Sequence, residues 1–103
     1  MKVIKRNGQE VDFDTNKIKN AITLANNEIN KHYNLKDKEI NNIVKNIETA
    51  TKLLNRAVNV EEIQNAVERE LMHSTSPEVA RVYIRYRYDR EKARKGNTTD
   101  STV

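Results

Sequence analysis

Apolar residues recur along the chain at intervals of three and four positions, in four separate stretches. This spacing places side chains on one face of an α-helix. Each stretch therefore predicts one amphipathic helix with a single buried face, and together they predict a bundle of four helices. The apolar positions, in chain order, are Ile18, Ala21, Ile22, Ala25 and Ile29; Ile40, Ile43, Val44, Ile47 and Leu54; Ile63, Ala66, Val67 and Leu71; and Val79, Val82, Tyr83 and Tyr86.

Residues that favour helix ends indicate where these helices begin and stop. The first helix is expected to run to about Glu28, and a polar, Asn-rich loop follows it. The fourth is expected to run to about Lys95, with Gly96 as its C-terminal cap. The expected starts are Asp14 as the N-cap of the first helix, Asp37 as the cap of the second, a position near Glu61 for the third, and Ser76 with Pro77 for the fourth.

A short β-hairpin is expected ahead of the first helix. Residues 3–13 alternate between apolar and polar around Asn7-Gly8, a pair that favours a two-residue type I′ turn with positive φ at both positions. A two-stranded ribbon is marginal alone in water, so it must pack on the helices. A third extended piece is expected beside it, at Ala57, Val58 and Val60. The expected fold class is α+β, mainly α, with a β-hairpin or three-strand cap on a four-helix bundle.

The composition narrows the class of protein. The chain has 103 residues, of which 36% are hydrophobic, and a formal net charge of +4, a mild excess that suggests an anionic partner. It has no cysteine, which excludes disulfides and thiolate zinc sites. No apolar run approaches the ~20 residues that span a bilayer, and the N-terminus does not resemble a signal peptide. We therefore expect a cytoplasmic domain with no membrane partner.

The chain shows one boundary near its C-terminal end. Residues 1–95 carry the helical and strand patterns and are expected to form a single domain. Residues 96–103 have no core-forming pattern, so we expect them to be the remnant of a linker to a larger protein.

Sequence signals for catalysis or metal binding are scarce. His32 and His73 have no partner at metal-ligand spacing, and the motifs of serine hydrolases, zinc proteases and P-loop NTPases are missing. We therefore expect no catalytic residue and no metal-ligating residue in this chain.

Two groups of basic residues are candidates for binding an anion. Lys5 and Arg6 precede the hairpin turn, and Lys17 lies one turn into the first helix, where unpaired N–H groups favour phosphate. The alternative is that these are ordinary solvated cations. In the fourth helix, arginines alternate with tyrosines, a pattern that can bind nucleic acid through charge and stacking. The alternative there is that the tyrosines pack the bundle and the arginines complement the helix dipole.

Four blocks of sequence together resemble one known family. The blocks are VIKRNG, VDFDTNKIKNAI, VEEIQNAVERELM and VARVYIRYRYDR, and they follow one another from residue 3 to about residue 90. In this order they resemble the ATP-cone, the nucleotide-sensing regulatory domain at the N-terminus of many ribonucleotide reductases. The segments QNAVERELM and YIRYRYDR look most like those of the anaerobic, glycyl-radical reductases. Asn7 stands where the family more often has Asp, and it suits a turn equally well.

The resemblance implies that ATP or dATP binds reversibly between the hairpin and the helices, with Mg²⁺ carried by the phosphates. In this comparison Asp14 faces the sugar, although a role limited to capping the helix is an equal alternative. The implied nucleotide-binding residues are Val3 and Ile18 at the adenine; Lys5, Arg6 and Lys17 at the phosphates; Val60, Ile63 and Gln64 at the base and sugar; and Arg85 and Arg87 as further phosphate ligands.

The function implied by the resemblance is allosteric control of an anaerobic ribonucleotide reductase by a domain that is not itself an enzyme. The implied partners are the catalytic domain of the parent ribonucleoside-triphosphate reductase and other cones in an oligomer. A basic helical module that binds nucleic acid or a partner protein is the alternative from another class. A third interpretation is the cone of a zinc-ribbon repressor of reductase genes, whose ribbon needs the cysteines that this chain lacks.

Overall fold

Three short strands and four helices make up the protein in the computed structural model, which describes residues 1–102 and the side chains as far as Arg94. The predicted fold class is confirmed, since a three-stranded mixed sheet lies on a mainly helical body. In chain order the elements are β1 (Lys2–Ile4), β2 (Glu10–Asp12), α1 (Thr15–Asn26), α2 (Asp37–Leu53), β3 (Val58–Asn59), α3 (Val60–Met72) and α4 (Glu78–Thr102).

The sheet has the order β2-β1-β3. The strand β1 is antiparallel to β2, with Val3 opposite Val11, and parallel to β3, with Val3 opposite Val58. The central strand therefore buries Val3, which is 6% exposed, while the predicted third extended piece is confirmed as β3. Ala57 and Val60 do not belong to it, because β3 covers only Val58–Asn59 and the chain turns into α3 at Val60.

The turn of the hairpin differs from the prediction. Lys5 O accepts a hydrogen bond from Gly8 N at 2.9 Å, and Lys5 N donates to Gln9 O at 2.8 Å, so the loop has three residues. Gly8 has a φ of 86°, whereas Asn7 does not have positive φ. The predicted two-residue type I′ turn is therefore wrong. The pairing of Val3 with Val11 requires the longer loop, which ends at a left-handed glycine.

The first helix begins as predicted and ends two residues early. Asp14 is the N-cap, and its Oδ1 accepts from Asn16 N at 2.9 Å. At the other end, buried Asn26 donates through Nδ2 to Leu35 O at 2.9 Å and accepts from Leu35 N at 2.7 Å. These two bonds fold the polar loop back and bury Leu35 to 2% exposure among the core residues.

The buried faces of α2 and α3 follow the predicted spacing with small corrections. Leu54 is the C-cap of α2 and is 49% exposed, so its predicted place on the buried face is wrong. Thr51 takes that place, where its hydroxyl donates to Ile47 O at 2.6 Å. Asp37 is the first residue of α2 rather than its cap, and α3 is preceded by Asn59, whose N–H donates to the Glu62 carboxylate at 2.8 Å.

The fourth helix packs against α1 and α3 through the predicted stripe. Val79, Val82 and Tyr83 are buried and Tyr86 is half-buried. The helix extends past the predicted cap at Gly96 to Thr102, so the predicted end is wrong. The linker expected at residues 96–103 lies outside the residues whose side chains are described. No helix in the described part of the chain is both long and apolar enough to cross a bilayer.

Candidate functional site

The hairpin and the first turns of α1 and α3 enclose a cavity of about 210 Å³, here called the strand cavity. Seven of the eleven predicted nucleotide-binding residues line it, although they come from three separate parts of the sequence. Its lining consists of Val3, Lys5, Val11, Asp12, Phe13, Asp14, Lys17, Ile18, Val60 and Ile63.

The strand cavity combines apolar walls with charged groups. Val3 and Ile18 are buried, at 6% and 8% exposure, whereas the cations Lys5 and Lys17 are exposed. Pockets for small molecules are commonly apolar with a few polar groups that fix orientation. This arrangement suits a flat, largely apolar ring that carries an anionic group.

Two helices begin at the wall of this cavity. Asp14 and Lys17 belong to the start of α1, and Val60 and Ile63 belong to the first turn of α3. The N-terminus of a helix carries unpaired N–H groups and a partial positive charge. Two such ends and the cations Lys5 and Lys17 favour an anion here, although Asp12 and Asp14 line the same cavity and offset part of that charge.

A second cavity of about 270 Å³, here called the tip cavity, lies beneath the hairpin turn. It shares Lys5 and Val60 with the strand cavity, so the two adjoin. It adds Arg6 and Gln64, which brings nine of the eleven predicted residues to this pair of cavities. The tip cavity is lined by Lys5, Arg6, Asn7, Val60, Gln64 and Arg94.

Arg6 is held at the tip cavity by three polar partners. Its Nη1 lies 3.1 Å from Glu61 Oε1 and 3.7 Å from Glu91 Oε1, and its Nη2 donates to Gln64 Oε1 at 3.1 Å. These partners belong to α3 and α4, so one side chain joins the hairpin turn to two helices.

The two predicted arginines of α4 point elsewhere. Arg85 donates to Glu28 at 2.7 Å near the end of α1, and its guanidinium lies over the Tyr86 ring at 5.7 Å. Arg87 pairs with Glu68 and donates to Asn65 at 2.8 Å on α3. Neither arginine lines the strand cavity or the tip cavity.

Some lining residues were not predicted. Val11 and Phe13 line the strand cavity, and the alternation along β2 together with the pairing of Val11 with Val3 was the signal that could have found them. Arg94 lines the tip cavity from α4. Its position depends on the direction in which α4 crosses the hairpin, and the local sequence around Arg94 carries no sign of this.

Two carboxylates, Asp12 of the strand cavity and Glu62 on α3, are paired with cations that do not line that cavity. The Lys2 ammonium hydrogen-bonds to Asp12 at 2.6 Å and lowers the pKa of that carboxyl. The Arg56 guanidinium and the Asn59 N–H lower the pKa of Glu62 to about 2, because both donate to its carboxylate. Both carboxylates therefore stay negative near neutral pH, and both are already paired.

The two histidines stand apart from these cavities. His73 Nδ1 lies 2.8 Å from Arg69 O at the end of α3, and His32 lies edge-on to the Tyr33 ring in the loop after α1. Within the residues whose side chains are described, no three His, Asp or Glu residues come close enough together to hold a metal ion.

Comparison of the sequence with known proteins identifies the family of the chain. An anaerobic ribonucleoside-triphosphate reductase of Haemophilus influenzae is 40% identical over 93 residues, which cover 90% of this chain and 13% of that protein. The enzyme of the same name from Salmonella typhimurium is 34% identical, with 90% and 12% covered. A ribonucleoside-diphosphate reductase subunit alpha of Chlamydia trachomatis is 36% identical over 103 residues, with 90% and 10% covered.

The chain thus spans between 10% and 13% of the length of these curated relatives. It also matches the ATP cone domain family over residues 1–92, a range that contains all of the residues lining the strand cavity. With a match over nearly its whole length, the chain belongs to the ATP-cone family.

Proposed function

We propose that this domain binds ATP or dATP reversibly in the strand and tip cavities and regulates an anaerobic ribonucleoside-triphosphate reductase. The observation that carries the proposal is the meeting of nine predicted nucleotide-binding residues around two adjoining cavities. They come from β1 and its turn, the start of α1 and the start of α3, which only the fold brings together. Membership of the ATP-cone family and the reductase relatives support the same function.

The adenine is assigned to the strand cavity, against Val3 and Ile18, with Val60 and Ile63 on the side of α3. The volume of about 210 Å³ is below the about 300–1,000 Å³ usual for a whole small-molecule ligand. The cavity therefore accommodates the base and part of the sugar, and the phosphates extend past Lys5 toward the tip cavity. Phe13 adds an aromatic wall for the purine.

The phosphates are assigned to Lys5, Arg6 and Lys17. Charge-assisted hydrogen bonds from ammonium and guanidinium groups to phosphate are stronger than bonds between neutral groups. The N-termini of α1 and α3 strengthen the positive potential there. Asp14 and Gln64 are assigned to the sugar and its surroundings. Mg²⁺ enters with the triphosphate, as is usual for an ion that keeps several waters and binds through substrate phosphates.

The regulatory step follows from linkage. A ligand shifts an equilibrium between two arrangements of a protein only by the difference in its affinity for them. We infer that ATP favours the active arrangement of the parent reductase, that dATP favours the inhibited one, and that the domain releases either nucleotide unchanged. The catalytic domain and other cones are the partners in this equilibrium.

Binding of nucleic acid by α4 has less support. Tyr83 is buried in the bundle. Arg85 is paired with Glu28, just after α1, and Arg87 is paired with Glu68 of α3. Burial removes one stacking surface, and pairing offsets part of the positive charge, that single strands need. The reductase relatives also favour a reductase cone over the cone of a gene repressor.

A thermal-shift series tests the proposed function. The domain is melted with Mg²⁺ and ATP, dATP, GTP or a short DNA duplex, at low and at high salt. We expect stabilisation by ATP and dATP that exceeds stabilisation by GTP, and recovery of the nucleotide intact. A response to the duplex alone, lost at high salt, would instead support the nucleic-acid module.

A further inference from the structure

The carboxylates that pair with Arg6 would also repel a phosphate. Glu61 and Glu91 are both carboxylates, and both lie within ion-pair distance of Arg6 Nη1, at 3.1 and 3.7 Å. A phosphate that enters the tip cavity to meet Arg6 also meets these two negative charges. The tip cavity therefore offers a cation to an anion, and nearby carboxylates already neutralise part of that positive charge.

We propose that Glu61 and Glu91 compete with the phosphates of the nucleotide for Arg6. In the nucleotide-free domain the ion pairs of Arg6 with Glu61 and Glu91, here called the tie, connect the hairpin turn to α3 and α4. A polyphosphate breaks the tie because it replaces the carboxylates as the partner of the guanidinium. The inference rests on the proposed function, because it requires phosphates beside Arg6.

The exchange is physically reasonable because the tie is weak and the competitor is strongly charged. The side chains of Arg6, Glu61 and Glu91 are 27%, 40% and 39% exposed, and ion pairs with this much contact to water contribute little. A triphosphate carries more negative charge than one carboxylate. It would also gain Lys5, which lines the same cavity as Arg6. Nη1 of Arg6 faces both carboxylates and its Nη2 donates to Gln64, so a phosphate that binds these two nitrogens bidentately must displace the present partners.

The consequence is a direct link between the nucleotide and α4. When Arg6 leaves Glu91 for a phosphate, α4 loses a positive neighbour and faces a negative ligand. The change in charge therefore acts on α4, the last helix of the domain. Because α4 packs against α1 and α3, its position is coupled to both of these helices. Linkage then requires that the two arrangements of the parent protein hold α4 differently, so that their affinities for the nucleotide differ.

Three variants and their combinations test the competition by calorimetry with ATP and with inorganic triphosphate. Glu91→Gln and Glu61→Gln keep the size of the side chain and remove its charge. Each should tighten binding about two- to five-fold, the range for an exposed ion pair. In an Arg6→Gln background, Glu91→Gln should have a clearly smaller effect, because the competition for Arg6 is gone and only the direct repulsion between Glu91 and phosphate is relieved.

Glu78→Gln is the matched control for a general change in charge. Glu78 lies in the first turn of α4, pairs with Arg81 at 3.3 Å and lines neither the strand cavity nor the tip cavity. The variant removes the same charge from the same helix without changing a partner of Arg6. Amide hydrogen exchange at Gly8, whose N–H bonds to Lys5 O in the turn, reports on the tie without nucleotide. Glu91→Gln should speed that exchange, and Glu78→Gln should leave it unchanged.

The outcomes separate this inference from the proposed function. Equal effects of Glu91→Gln and Glu78→Gln on affinity, with or without Arg6, would overturn the competition while ATP binding stands. A wild-type domain that binds neither ATP nor dATP would overturn the proposed function, and the competition with it. Tighter binding that depends on the presence of Arg6 would support both.

Discussion

Val3 lies directly opposite Val11 in the hairpin, and both valines line the strand cavity. A two-residue turn at Asn7-Gly8 would place Arg6 opposite Gln9 and therefore Val3 opposite Asp12. A shift of one residue moves a strand's side chains to the other face of the sheet, so the apolar pair would be lost. The three-residue loop preserves the pair. It also places Arg6 within the turn, from which its side chain reaches α3 and α4.

Replacing Gly8 tests this turn. Gly8 has a φ of 86°, and a Cβ at this position would meet no atom within 4 Å. The cost of Gly8→Ala is therefore backbone strain alone, about 1–2 kcal/mol in the free energy of unfolding by urea. Gly8→Asn should cost less, because Asn tolerates the left-handed region better than Ala does. Equal stability of wild type and Gly8→Ala would mean that the turn does not use this conformation.

Replacing Asn26 tests the closure of the loop between α1 and α2. Asn26 is 5% exposed, and its side chain makes two hydrogen bonds to the backbone of Leu35. Asn26→Ala leaves the buried N–H and C=O of Leu35 without these partners, which should cost about 1–3 kcal/mol of stability. The neighbour Asn27 is exposed, so Asn27→Ala should stay within about 0.5 kcal/mol. Similar midpoints for the two variants in urea would contradict the account.

Glu62 should contribute a pH-dependent part of the stability. Its pKa is lowered from 4.5 to about 2 in the folded domain, so the folded state favours the ionised carboxylate. The contribution is present above about pH 4.5 and is lost as the pH falls through about 2. The difference in unfolding free energy between wild type and Glu62→Gln should therefore shrink across this window.

Arg56→Gln should remove most of the same component, because Arg56 is the main group that lowers the pKa of Glu62. Urea titrations at several pH values between 6 and 2 provide the measurement. Parallel loss of stability in wild type and in Glu62→Gln over that range would show that the carboxylate is not held in this way.

The helices were predictable because their burial is local and periodic. Ile22, Ile40 and Val79 recur at helical spacing with their neighbours, and they are buried as predicted. Leu35 was not predictable, because it lies in a polar loop and is buried only through the bonds from Asn26. The hairpin loop was mispredicted because Asn7-Gly8 is compatible with two loop lengths, and the pairing of Val3 decides between them.

The residues of the candidate site that lie in family motifs could be predicted from the sequence, whereas contacts between distant residues could not. Lys5, Lys17 and Ile63 follow from the resemblance, and the fold brings them to one cavity. The contacts of Arg6 with Glu61 and Glu91 join residues far apart in sequence, so neither pattern nor spacing indicates them.

The central claim is that exposed cations around the two cavities hold the phosphates of ATP. It predicts that removing one of these cations weakens ATP binding but leaves the stability of the nucleotide-free domain nearly unchanged. Lys5→Ala and Lys17→Ala remove exposed side chains, so each should change the nucleotide-free unfolding free energy by no more than about 0.5 kcal/mol. Loss of a charge-assisted bond to phosphate, worth about 1.5–3 kcal/mol, should weaken ATP binding roughly tenfold or more. Lys45→Ala, on the exposed side of α2, is the matched control and should bind as wild type does.

Asp14→Ala is the contrasting variant, because loss of the cap of α1 should lower the nucleotide-free stability by about 1 kcal/mol. The most direct measurement is calorimetric titration of ATP into wild type, Lys5→Ala, Lys17→Ala and Lys45→Ala in the presence of Mg²⁺. The account predicts that only the two cavity lysine variants lose affinity while both melt like wild type without nucleotide. Wild-type affinity in both of those variants, or no ATP binding by wild type at millimolar concentration, would contradict it.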